Sequence, residues 1–114
     1  MPTWYYRYVS NPPEVKQIVD ERKIQSVNPA TNYLNWYTPT RYRDVDLAQE
    51  ELALPYTPTH RLGPIPDMYV VNMDVPLRLT DPAYGFSGGG LEMATSEVIW
   101  LCGLWNFNPG TWDL

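Results

Sequence analysis

Gly85-Phe86-Ser87-Gly88-Gly89-Gly90-Leu91-Glu92-Met93-Ala94-Thr95 runs three consecutive glycines straight into one carboxylate, with an apolar, β-prone segment behind it. Ordering three glycines is costly, because glycine loses more backbone freedom on folding than any other residue. A chain that accepts this cost needs a left-handed backbone or a close approach of main chain to something else. Glu is depleted in strands, so Glu92 between Leu91 and Met93 asks for a reason. Two readings follow from the residues alone. One is a glycine-rich hairpin loop with Glu92 on the solvent face of an edge strand. The other is a catalytic carboxylate held at the mouth of a cleft.

Outward from this stretch, the chain of 114 residues has the size of one domain with a small core. Five Trp and nine Tyr supply large burial areas, while twelve Pro and seven Gly imply many loops. The net charge of −5 excludes a whole-protein basic field that would gather nucleic acid. Arg41, Arg43, Arg61 and Arg78 are the pieces left for a local basic patch. The single cysteine, Cys102, allows no intramolecular disulfide and suits a reducing compartment. Its place in Val98-Ile99-Trp100-Leu101-Cys102 predicts a buried, inert thiol. His60 is the one histidine, expected as a surface or core residue, and with one His and one Cys no metal site of usual spacing is expected. Met1-Pro2-Thr3-Trp4 carries no basic, apolar lead, so no signal peptide is expected, and no stretch is long and apolar enough to span a bilayer.

Trp4 to Val9 reads as an aromatic, β-branched strand interrupted by Arg7. Asn11 as N-cap, Pro12 at the first helical position and Glu14 three residues after the cap predict a helix to about Arg22, with Val15, Ile18 and Val19 on one face. Asn32 to Tyr37 is a second strand candidate. Asp44 caps a second helix over Val45 to Leu54, stopped by Pro55. His60 to Leu62 is a short strand, Gly63 to Pro66 a rigid loop, and Met68 to Val75 the best central strand. Leu77 to Gly90 reads as a long loop, with Asp81 to Gly90 mobile and carrying the aromatics Tyr84 and Phe86. Leu91 to Thr95 and Glu97 to Trp105 close the chain as strands, followed by a packed C-terminal turn. The order predicts an α+β fold.

Three separated pieces of this pattern resemble one family. Trp4-Tyr5-Tyr6-Arg7-Tyr8-Val9-Ser10 is similar to the tyrosine-arginine first strand of ADP-ribosyltransferase toxins. Tyr33-Leu34-Asn35-Trp36-Tyr37-Thr38-Pro39-Thr40-Arg41-Tyr42, with Ala48-Gln49-Glu50-Glu51-Leu52-Ala53-Leu54-Pro55, resembles their second block, a strand running into a helix that ends in Leu-Pro. Gly88-Gly89-Gly90-Leu91-Glu92 looks like the glycine-rich loop and catalytic glutamate of the small polymorphic-toxin branch, which includes Rhs and type VI effector-like domains. The resemblance spans most of residues 4 to 95.

The resemblance implies a single catalytic domain over residues 1–114, with a split β-core, two helices in the N-terminal half and a cleft for NAD as co-substrate without a metal. It implies transfer of ADP-ribose to a macromolecular acceptor, protein or nucleic acid, with release of nicotinamide. It implies Glu92 as the catalytic residue and Arg7 as the residue that binds the donor. Tyr6, Tyr33, Tyr37, Thr38, Gly89 and Gly90 complete the implied donor site. The family's serine-bearing middle strand matches Tyr33 to Thr38, where Thr38 or Asn35 replaces the serine. Gly90 stands two residues before Glu92, where arginine-modifying relatives carry Glu or Gln. The implied setting is an antibacterial toxin domain acting in the cytoplasm of a target cell, away from any membrane and opposed by a cognate immunity protein. Two other functions fit the same residues: a non-catalytic protein-binding module of immunity or adaptor type, and an NAD glycohydrolase in which water is the acceptor.

The residue chemistry is compatible with these roles. Arg offers a planar fork that can hold phosphate oxygens bidentately. Breaking a glycosidic bond builds positive charge on the ribose, which a carboxylate stabilises.

Overall fold

The first strand, β1 (Trp4–Val9), is buried on both faces, and this decides the architecture. Successive side chains of a strand point to opposite faces. Tyr5 and Val9 enter a core with Ile18, Ile24, Tyr37, Leu62, Ile65, Met93, Ile99 and Leu104. Tyr6 and Tyr8 enter a second core with Tyr42 and Ala48. A strand that serves two cores has no polar face, which accounts for its near-continuous aromatic run. The computed structural model describes residues 3–10, 12–25, 34–70 and 72–114.

Among the described residues, three antiparallel sheets and two α-helices make an α+β fold. β1 pairs with β4 (His60–Pro66), which pairs with β8 (Leu104–Asn106) and through it with β9 (Thr111–Trp112). A second sheet runs β3 (Asn35–Tyr37), β6 (Leu91–Thr95), β5 (Val75–Leu79). A short pair joins β2 (Lys23–Ile24) to β7 (Ile99–Trp100). The two larger sheets meet at one bridge, where Tyr6 and Thr38 exchange backbone hydrogen bonds of 2.8 and 2.9 Å. The strands therefore follow one another as β9-β8-β4-β1-β3-β6-β5, split between β1 and β3.

Helix α1 (Pro12–Glu21) buries Ile18 and packs Val15 and Val19 on the first core. It gives way at Arg22, whose φ is 59°; its predicted cap, Asn11, lies outside the described residues. Helix α2 (Val45–Leu52) starts where Asp44 Oδ1 accepts from the Asp46 and Leu47 amides at 2.8 and 3.4 Å. It ends two residues earlier than the apolar pattern predicts, because Ala53 turns left-handed with φ 48°. Among the described residues no helix is long and apolar enough to cross a membrane.

Several predicted elements are redrawn. Gly63 to Pro66 is strand, not loop: β4 carries one extra residue against β1 between Leu62 and Ile65. This bulge interrupts the ladder where proline offers no amide. Gly63 has φ +117°, and a Cβ there would sit 2.6 Å from the Tyr5 carbonyl oxygen. Of the predicted strand Met68 to Val75, residues 68–70 and 72–74 are not strand. A 3-10 turn over Asp67–Tyr69 follows Pro66, and the side chains of this region serve the loop after β6. Asp74 Oδ2 accepts from the Ser96 amide and hydroxyl at 2.7 and 3.0 Å. The strand instead occupies Val75–Leu79, from the end of the predicted strand into the start of the predicted long loop, at a sheet edge where Pro76 is tolerated. Glu97 to Trp105 breaks into β7 and β8, and Cys102 between them is exposed rather than buried. Trp100 and Trp112 are exposed as well.

Candidate active site

The split between β1 and β3 opens into a cleft of about 920 Å³. That volume lies in the range of small-molecule and cofactor sites. Four elements contribute ionic groups: Arg7 from β1, Glu14 and Glu21 from α1, Arg78 from β5 and Glu92 from β6, with Asp81 just beyond β5.

Arg7 lies on the Tyr5 and Val9 face of β1, beneath α1. Its Nη2 donates to Glu14 Oε1 at 2.6 Å, and its Nη1 donates to the Trp36 carbonyl at 3.3 Å. Its Nε is buried and has no partner among the described residues. Burial works against the guanidinium's charge, but Glu14 outweighs it, so the pKa is raised and Arg7 stays ionised. Tyr37 and Asn35 border the same side. The Tyr37 hydroxyl and Asn35 Nδ2 are buried and have no partners among the described residues. Burial pushes the Tyr37 pKa upward although Arg7 pulls it down, so the phenol stays protonated. Tyr56 closes this side, its hydroxyl donating to the Tyr8 carbonyl at 3.3 Å.

Glu92 enters from the other sheet. It pairs in register with Arg78, whose Nε and Nη2 each lie 3.2 Å from Glu92 Oε2. The Arg78 side chain is 49% exposed and that of Glu92 only 14%. The Arg78 guanidinium lies over the Trp36 ring, 5.1 Å from its centre, a cation–π arrangement. Trp36 thus joins two ion pairs that do not touch. Its carbonyl takes Arg7, and its ring carries Arg78.

The three glycines dock the loop onto α2. Amides of Gly88 and Gly90 donate to the carbonyls of Glu50 and Glu51, both at 3.0 Å. Those carbonyls belong to the last turn of a helix, which leaves its final acceptors without intrahelical donors. Ser87 adds its amide and hydroxyl to Glu50 Oε1 at 3.2 and 2.7 Å, and the Gly89 amide donates to the Thr80 carbonyl at 2.9 Å. Space matters too: a Cβ on Gly90 would lie 2.7 Å from the Tyr42 hydroxyl, which donates to Glu51 at 3.0 Å. Helix, loop and β6 are thereby fastened together, and Glu92 is carried on the result. Asp81 to Gly90, expected as mobile, is held by these bonds and by a turn in which Ala83 and Phe86 exchange amide bonds.

Of the predicted site residues, Tyr6, Arg7, Tyr37, Thr38 and Glu92 border the cleft. Thr38 also accepts from the Thr40 amide at 3.1 Å in a local turn. Gly89 and Gly90 stand outside the lining, and Tyr33 lies outside the described residues. Tyr84 lines the mouth and is 69% exposed, whereas Phe86 does not line it. Sequence reasoning missed Glu14 as the Arg7 partner, Arg78 as the Glu92 partner, and Thr80 as a residue of the cleft lining. The alternation Leu77-Arg78-Leu79 was the available signal for Arg78 on a strand; nothing local links Glu14 to Arg7. Among the described residues no group of three or more His, Cys, Asp or Glu is placed to hold a metal ion. Comparison with protein-family models, with curated proteins and with solved structures found no match.

Proposed function

We propose that this cleft binds NAD and that the domain transfers ADP-ribose from it to a macromolecular acceptor, releasing nicotinamide. One observation carries the reading. Arg7 and Glu92, held by different sheets, line one cleft together with Asn35, Tyr37 and Thr80. A guanidinium and a carboxylate held across a cleft of cofactor size suit a polar, oxygen-rich ligand that brings both anionic groups and hydroxyls. A dinucleotide with ribose hydroxyls and two phosphates is such a ligand. The split order of strands and the resemblance in residues 4 to 95 support the same choice.

In this mechanism Arg7 anchors the donor with the part of its fork that Glu14 leaves free. Trp36 and Tyr37 frame the base and sugar. Glu92 accepts a hydrogen bond from the ribose 2′-hydroxyl and stabilises the positive charge that grows at C1′. The C1′–N bond breaks and nicotinamide leaves with its electron pair. The acceptor's nucleophilic atom then forms a bond to C1′, and its proton passes to Glu92. By the same resemblance we place the domain among toxins that act in the cytoplasm of a competitor cell, with an immunity protein covering the cleft.

The test is incubation with labelled NAD and a bacterial lysate, followed by protease or nuclease digestion. The expected result is label fixed in one macromolecular fraction and lost with the matching digestion. Nicotinamide released with all label recovered as free ADP-ribose would make the enzyme a glycohydrolase. No consumption of NAD would end the catalytic reading.

A further inference from the structure

The cleft holds two cations and four carboxylates: Arg7 and Arg78 against Glu14, Glu21, Asp81 and Glu92. A dinucleotide brings two further negative charges. Arg7 is poorly supplied to meet them alone. It is largely buried, its side chain 13% exposed, and Glu14 at 2.6 Å already neutralises it. Arg78 is the better placed cation. It is half-exposed, its contacts to Glu92 are longer at 3.2 Å, and its Nη1 has no hydrogen-bond partner among the described residues. It rests on the Trp36 face, which fixes the plane of its fork without using its donors. Glu92, meanwhile, has one carboxylate oxygen occupied by the very group that phosphate would attract. Arg binds phosphate through its planar fork as readily as it binds carboxylate.

Resting on the reading of the cleft as an NAD site, we infer that Arg78 is its exchangeable cation: it masks Glu92 in the empty site and moves to the donor's pyrophosphate when NAD binds. The exchange frees the carboxylate for the ribose at the moment the donor is in place. It also makes the two charges antagonists in binding, since Glu92 holds Arg78 back from phosphate.

Calorimetric titration of NAD into the intact domain tests this without requiring turnover. Arg78→Met should weaken NAD binding at least about tenfold, the scale of one charge-assisted phosphate contact, and Arg78→Lys should recover part of it. Glu92→Gln, which removes the charge restraining Arg78, should bind NAD more tightly than the wild type. That gain should vanish in the double variant with Arg78→Met. Nicotinamide alone carries no phosphate and should bind wild type and Arg78→Met equally; an equal loss there would mark a damaged cleft and overturn the assignment. NAD bound equally by wild type and Arg78→Met, or a Glu92→Gln gain that persists in the double variant, would overturn it while the NAD reading stands. A wild-type domain that does not bind NAD would remove both.

Discussion

Replacing Gly88 by alanine tests whether the glycines dock the loop or serve an open surface. Gly88 is buried with φ +71°, and a Cβ there would lie 2.4 Å from the Thr80 carbonyl oxygen and 2.9 Å from that of Asp81. Both obstacles are backbone and cannot rotate aside. The loop must shift, and it then loses the bonds from the Gly88 amide to Glu50 and from the Gly89 amide to Thr80. A non-glycine residue in this conformation costs about 1–3 kcal/mol, and each lost hydrogen bond about 1 kcal/mol. Gly88→Ala should therefore destabilise by about 3–5 kcal/mol. The neighbour is a built-in control. Gly89 has φ +92°, but nothing lies within 4 Å of its added Cβ. Gly89→Ala should cost only the same backbone strain, about 1–3 kcal/mol, and so about 2 kcal/mol less than Gly88→Ala. For a domain of this length each kcal/mol corresponds to about 4 °C in Tm. Urea titration with an unchanged slope, checked by thermal melting, should separate the two variants by about 8 °C or more. Equal losses in the two variants, or a larger loss in Gly89→Ala, would refute the docking argument.

Three further expectations follow. Arg7→Lys keeps the charge but loses the fork, so NAD affinity should fall in calorimetry; unchanged affinity would remove Arg7 from the donor site. Amides of Gly88, Gly89 and Gly90 should be protected from hydrogen exchange in the empty protein, because each is bonded to a carbonyl of α2 or Thr80; exchange as fast as in a free loop would contradict the fold at this point. Burial pushes the Tyr8 pKa to about 12 from an ordinary value of 10.0, and it raises those of Tyr37, Tyr42 and Tyr56 as well. The folded values lie above the unfolded ones, so this stability is complete below pH about 10 and is lost as pH rises through the folded values. Denaturant midpoints should fall steeply above pH about 10 as tyrosinate absorbance grows, and flat midpoints to pH about 12 would refute the burial.

What was legible in the sequence was mostly local. Asp44 before an apolar-periodic segment, Pro12 at a helix start and the aromatic run of β1 each signal their structure within a few residues. Glu92 could be singled out for the same reason, since its oddity lies in its neighbours. Pairing was not legible. That Arg78 stands opposite Glu92 depends on the register of β5 on β6, and β5 straddles the boundary between an expected strand and an expected loop at Pro76, which argues against a central strand but not against an edge one. The stretch from Met68 read as a strand because an apolar run does not reveal whether a sheet has room for it. Here the Asp67 carbonyl closes a 3-10 turn on the Val70 amide, and the Asp74 side chain caps the loop after β6 instead. The glycine run signals a close approach of backbone but not its partner: the amides of Gly88 and Gly90 complete the end of α2, more than thirty residues away in sequence. Cys102 was expected inside because its neighbours are apolar, but β7 and β8 separate at that point and leave it outside.

The most direct measurement is the rate of nicotinamide release from NAD by the wild-type domain and by Glu92→Gln, each shown by calorimetry to hold NAD. The substitution keeps size and hydrogen bonding and removes the one charge assigned to the developing cation. The account predicts that Glu92→Gln binds NAD and releases nicotinamide at least about 10²-fold more slowly. Release at the wild-type rate by Glu92→Gln would contradict it.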